Sequence, residues 1–131
     1  MTAAAEPENR LTIGVDIGGT NFRAALYRGL GQLAAQRAAH AQSPAARGEA
    51  AIHSIQLVPK PVRERREPLG DTRHPEAVVD RLIAAIAELS GDEPAPIPVG
   101  IGFAGMLSGH EGFVTRSPHL GWHDVHLGKL L

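Results

Sequence analysis

Two short apolar runs set close together constrain this chain more than any other feature. Residues 11–27 read LTIGVDIGGTNFRAALY. Leu11 to Val15 is an apolar run that ends at Asp16, and Phe22 to Tyr27 places Phe22, Ala24 and Leu26 on one face at period two. The five residues between the runs, IGGTN, carry turn chemistry. The pattern predicts a β-hairpin at the start of the fold.

Asp16 and the two glycines after it pose a chemical question. A Gly-Gly turn lets backbone N–H groups converge on one point with no Cβ in the way, and such a concavity is a natural anion site. Thr20 and Asn21 add side-chain donors. A carboxylate beside an anion needs a cation between them, and Mg²⁺ on nucleotide phosphates, held through a carboxylate and waters, is such a cation. Spacing alone leaves two readings open: a Mg-phosphate cradle between two strands, and a plain hairpin turn capped by Asp16. The spacing is not G-x-G-x-x-G, which needs a strand-to-helix turn. It is not a Walker loop either, because no G-K-[ST] comes after it.

The rest of the chain adds elements to this start. Val62 to Glu67 reads as a third strand, and the flanking Pro61 and Pro68 place it at an edge. Residues 33–53 are Ala-rich, either a helix broken at Pro44 or a flexible insertion. Pro75 to Leu89 is the best helix. Pro75 suits the first helical position and Glu76 the first turn's dipole. Val78, Leu82, Ala85 and Leu89 form an apolar stripe joined by Val79, Ile83 and Ile86. Gly91 is placed to end it. Ile97 to Phe103 reads as a glycine-bearing strand buried on both faces. AGMLSGHEG reads as a loop, FVT as a short strand and RSPHLGWHD as another loop; helical spacing begins again at Leu127, Leu130 and Leu131. Hairpin, strand, helix, strand is the order of a mixed α/β layer.

Composition narrows the function. The 131 residues fit one domain, and 43% apolar with 21% charged residues is a globular balance. A net charge of −1 supplies no global field for nucleic acid or an anionic membrane. The chain has no cysteine, which removes disulfides and thiolate chemistry and accords with a cytoplasmic setting. MTAAAEPENR lacks the features of a signal peptide and reads as a disordered tail over 1–10. No apolar run approaches the ~20 residues of a membrane span. Lys60, Arg63, Arg65 and Arg66 form a basic run, but Glu64 and Glu67 interleave and no aromatic is near, so it reads as a solvated strand face. His119, His123 and His126 lack the regular spacing of a zinc site and read as loop histidines.

VDIGGTNFRAALY resembles the first phosphate loop of the actin, hexokinase and heat-shock chaperone superfamily, and within it the ROK family (repressors, open reading frames and sugar kinases). A second block, VGIGFAGMLSGHEGFVTRSPHLGW, resembles the same family's G-I-G-x-P-G segment, turn, G-x-V and P-N-L-G-W-like sugar loop. HDVHLGKLL resembles the segment after that loop in glucokinase-like members, and the helix at 75–89 falls where the family has its first helix.

The resemblance implies a ribonuclease-H-like (actin-like ATPase) N-terminal lobe, with nucleotide in a cleft between two lobes. The reaction implied is ATP-dependent phosphorylation of a hexose, glucose first, with N-acetylated hexosamines and fructose as alternatives. Asp16 would sit near Mg²⁺ and the γ-phosphate. Gly18, Gly19, Thr20 and Asn21 would cradle phosphate with Arg23 nearby. Gly105, His119, Gly121 and Trp122 would lie at or beside the sugar pocket, where Trp122 would both anchor the loop and shape the site. The cofactors implied are ATP and Mg²⁺, with zinc not expected in this chain.

Three positions depart from the family pattern: Ala104 stands for a usual proline, Ser108 lies near a usual aspartate, and His119 replaces the asparagine of the sugar loop. Imidazole and amide offer different donor and acceptor sets, so the sugar contact at His119 differs from the family's. The family's base is the aspartate of an Asn-Asp pair, and neither Asn9 nor Asn21 precedes an aspartate here.

The expectation is therefore a lobe over 11–131 that carries an insertion over 31–58 and a C-terminal helix cut off at 131. The base and the adenosine pocket belong to a C-terminal lobe outside it, and activity alone is negligible. The alternative is a non-catalytic binding or regulatory remnant, or half of a split protein. The repressor branch, with its N-terminal helix-turn-helix, fits less well.

Overall fold

The computed structural model describes residues 9–31, 33, 35 and 59–131. The tail expected over 1–10 and the insertion expected over 31–58, including the break at Pro44, lie outside the described residues but for positions 9, 10, 31, 33 and 35.

The hairpin forms as the period predicts. β1 (Leu11–Ile17) and β2 (Asn21–Arg28) pair antiparallel, with Asp16 opposite Arg23 and Ile17 opposite Phe22. Both strands run slightly longer than the apolar runs, because Ile17 pairs with Phe22 and β2 already begins at Asn21, which leaves Gly18–Thr20 as the turn. β3 (Arg63–Pro68) pairs antiparallel with β2, and β4 (Val99–Phe103) pairs parallel with β1. The order β3-β2-β1-β4 puts β3 at an edge, as its prolines require.

Alternation divides this sheet into two faces. Ile13, Val15, Ile17, Phe22, Ala24 and Leu26 are buried on one. α1 (Pro75–Ser90) belongs to the same core through Val78, Val79, Leu82, Ala85 and Leu89. Each large aliphatic side chain so buried contributes about 1.5–3 kcal/mol. Pro75 begins the helix behind the extended His74, and the N–H of Gly91, at φ 57°, closes it on the Ala87 carbonyl at 3.1 Å. Ile83, expected in the apolar stripe, is 43% exposed, because it lies off the arc that meets the sheet.

β4 corrects the expectation of a strand buried on both faces. It is the edge opposite β3; Gly100 and Gly102 are exposed, and only Ile101 and Phe103 turn partly inward. Two stretches expected as loops also hold strands. β5 (Met106–Ser108), β6 (Phe113–Ser117) and β7 (Trp122–His126) form a second, antiparallel sheet in the order β5-β6-β7. Val114, Leu120 and Trp122 carry it into the same core as the first sheet. One turn of helix, α2 (Leu127–Leu130), comes next and buries Leu127. None of the described helices is long and apolar enough to cross a membrane.

Candidate active site

The turn between β1 and β2 is tight. The Gly18 N–H donates to the Asn21 carbonyl at 2.8 Å, and a Cβ at Gly18 would stand 3.1 Å from that oxygen. Neither Gly18 nor Gly19 takes a positive φ, so the pair supplies room rather than a left-handed backbone. Among the described residues the N–H groups of Gly19 and Thr20 donate to no backbone carbonyl. The Asn21 amide nitrogen donates to Thr20 Oγ1 at 2.9 Å, which orients both side chains.

Asp16 lies on the open face of the sheet and is exposed. Its cross-strand partner by register is Arg23, but Arg23 is taken by Glu64, with Nε 2.8 Å and Nη2 2.9 Å from the carboxylate. Hydrogen bonding to Glu64, and then its charge, raise the Arg23 pKa above the ordinary arginine value. Among the described residues Asp16 itself forms no ion pair. Its carboxylate oxygens are therefore available to a hard cation. Gly14, Ala25 and Gly100 floor a hollow of about 240 Å³ beside it, with Tyr27 and Arg23 at the margin.

The second group of expected site residues lies on β6, β7 and the turns around them. His119 is exposed, and its Cβ would stand 3.5 Å from a Cβ built on Gly19. The turn expected to hold phosphate and the loop expected to hold sugar are thus in direct contact. Gly121 turns the chain at φ 67° after its N–H meets the Pro118 carbonyl at 3.3 Å. Gly105 is fixed by packing, since a Cβ there would come within 2.5 Å of the Phe103 ring and 2.9 Å of the Arg116 carbonyl oxygen. Trp122 is 2% exposed, and its indole N–H donates to the Arg73 carbonyl at 2.6 Å. Of the two roles expected for Trp122, anchoring the loop is the one this burial provides.

One residue missed in the sequence joins the two groups. Arg73 Nη1 donates to the Gly19 carbonyl and, at 3.3 Å, to the His119 carbonyl. Its partners lie 54 and 46 positions away, so no local motif contains it. The available signal was a cation just ahead of a helix N-terminus, where the dipole disfavours it.

The other clusters stay apart from this site. Among the described residues no three His, Asp or Glu side chains gather to hold a metal ion. His126 packs its ring on Phe113, centroids 4.6 Å apart. In the basic run Arg65 is held by Glu67 at 3.1 Å and by Glu88 at 2.9 Å, as a solvated strand face would be.

No protein-family model and no curated protein sequence matches the chain. Solved structures do. A ROK family glucokinase from Streptomyces griseus, in complex with glucose and AMPPNP, matches at TM-score 0.57 and 25% identity, over 92% of this chain and 28% of that one. An inorganic polyphosphate/ATP-glucomannokinase from Arthrobacter sp. strain KM matches at TM-score 0.57 and 23% identity, over 93% of this chain and 39% of that one. This chain is folded as the N-terminal portion of a ROK-like sugar kinase. It spans 28% and 39% of the lengths of those two proteins. In this ROK-like portion Arg73 ties the β1–β2 turn to the loop that carries His119.

Proposed function

We propose that this chain supplies the phosphate turn and one wall of the sugar site of an ATP-dependent hexose kinase, with glucose as the leading substrate. The observation that carries the reading is the close approach of His119 to Gly19, where the His119 Cβ stands 3.5 Å from the place a Cβ on Gly19 would take. Moving a phosphoryl group to a sugar hydroxyl demands that donor and acceptor be held side by side. The fold proposed is the ribonuclease-H-like, actin-like ATPase lobe.

The residues fit Mg·ATP. Two backbone N–H groups of the turn have no internal backbone acceptor among the described residues, and Asp16, two residues before the turn, forms no ion pair among them. Gly18, Gly19, Thr20 and Asn21 would hold phosphate oxygens, and Asp16 would hold the metal through water. When bound, Mg²⁺ neutralises charge on the phosphate oxygens. Arg23 lies at the margin with its charge engaged by Glu64, and orients nothing by itself. His119 and Gly121 present the sugar loop, while Trp122 holds it from beneath. Gly105 keeps the β4–β5 corner closed behind it.

The proton-accepting aspartate and the adenosine pocket are assigned to a second lobe. Lack of the base alone costs about 10²–10⁴ in rate, so the 131-residue chain should bind its ligands and turn over negligibly. Calorimetric titration with glucose and with Mg·ATP, beside a coupled kinase assay on several hexoses, tests this. Binding of neither ligand would overturn the site, and robust turnover would overturn the assignment of the base.

A further inference from the structure

We propose that Arg73 is a positioning residue that locks the phosphate-side turn and the sugar-side loop into one relative placement. The tie itself rests on the geometry, and only its purpose rests on the function proposed above. Arg73 immediately precedes His74, the residue that caps α1. The positive end of the helix dipole disfavours a guanidinium there, so the helix does not account for the residue. Its bonds do. One nitrogen, Nη1, donates to two carbonyls on separate elements, Gly19 and His119. The backbone from which it projects is held in turn, because the buried Trp122 indole donates to the Arg73 carbonyl at 2.6 Å.

Holding these carbonyls does more than join two loops. The peptide unit is planar and trans, so its carbonyl oxygen and N–H point in opposite directions. Fixing the Gly19 carbonyl on Arg73 therefore fixes the Thr20 N–H away from Arg73. That N–H is one of the turn's donors with no backbone acceptor among the described residues. The His119 carbonyl fixes the Leu120 N–H in the same way. Arg73 thus orients an anion-binding donor and the sugar loop with a single group, and a ligand ordering one side pre-orders the other. Such coupling is reciprocal: hexose should tighten nucleotide binding by the factor by which nucleotide tightens hexose binding.

Amide hydrogen exchange on the 131-residue chain tests the tie without any ligand. Arg73→Met keeps the apolar stem and removes the donors. Exchange at Gly18 and at Gly121, whose N–H groups are bonded within the two turns to the Asn21 and Pro118 carbonyls, should both accelerate, by about tenfold or more given what a charged hydrogen bond contributes, while the central amides of α1 stay protected. Acceleration at only one of the two, or at neither, overturns the proposal. Where Arg73→Met loosens α1 as well, the milder Arg73→Lys decides. Faster exchange confined to Gly18 and Gly121 then supports the tie, and exchange as slow as in the parent overturns it. Glucose and Mg·ATP titrations on the same samples separate the tie from its purpose. If the parent binds neither ligand, the proposed function fails while the exchange data still judge the tie. If it binds both, mutual tightening should be present in the parent and lost in Arg73→Met, and persistence of that coupling in the variant overturns the positioning role.

Discussion

The two faces of the β3-β2-β1-β4 sheet are written by alternate residues of the same strands, yet they do different work. On the inner face Ile13, Val15, Ile17, Phe22, Ala24 and Leu26 are at most 5% exposed and share a core with α1. On the outer face the neighbours of those residues are Gly14, Asp16, Arg23 and Ala25, with Gly100 and Gly102 beside them on β4. Small side chains there stabilise little, and they leave an open hollow with a carboxylate at its rim. One face therefore holds the free energy of folding and the other holds the candidate site. Substitutions should separate cleanly along that line.

The largest effect is expected on the inner face. Phe22 is fully buried, and Arg81 lies 5.6 Å from the centre of its ring. Phe22→Ala should cost about 3–5 kcal/mol, a large part of the stability of a chain this size, and urea unfolding should show it. Gly105→Ala comes next. It sits at the corner between the sheets, where a Cβ would overlap the Phe103 ring and crowd the Arg116 carbonyl. Overpacking of this kind costs about 1–3 kcal/mol. A lowered midpoint of thermal unfolding would mark Gly105 as a packing residue; an unchanged midpoint with lost glucose binding would move it to the outer, chemical class.

A smaller effect is expected at the edge, where β3 meets α1. Burial tends to raise the Glu67 pKa, but hydrogen bonds from Arg81 and Arg65 and then their charges outweigh it, and the value falls below the ordinary 4.5. A carboxylate lowered on folding adds stability above its unfolded pKa, and that contribution disappears as pH falls through the folded value. Glu67→Gln should therefore be modestly less stable than the parent at pH 7. The gap should narrow below about pH 4.5. Denaturation curves at pH 7 and in acid measure it, and a gap that widens in acid would break the account.

Legibility in the sequence divides along the same line. The hairpin, α1 and the edge position of β3 announced themselves through period, Pro75, Gly91 and the flanking prolines, all of which act locally. β5 to β7 did not. Met106 and Leu107 are 66% and 58% exposed, so the first of these strands has no buried face to generate alternation. Its pairing with β6 is set by tertiary placement. β4 misled because its apolar run suggested cover on both sides, whereas its glycines lie on the open face. For the site, Asp16 and the glycines were legible as a motif. The carbonyl contacts of Arg73 were not, because a guanidinium bound to distant backbone leaves no pattern in spacing.

The smallest effect on stability and the sharpest on function should coincide at Asp16. The side chain is exposed and forms no ion pair among the described residues, so Asp16→Asn should change stability by no more than about 0.5 kcal/mol. If the carboxylate serves a metal, the same change should weaken Mg·ATP binding by about tenfold or more, the scale of a charged contact. The metal-free case runs the other way. A carboxylate beside an anion site repels a bare polyphosphate, and removing its charge should tighten metal-free pyrophosphate binding. Opposite signs for the two ligands, measured by titration with and without a chelator, would be expected only of a site that seats its anion through a cation. Equal loss of both would make Asp16 a structural cap of the turn, and no change in either would return the β1–β2 connection to an ordinary hairpin.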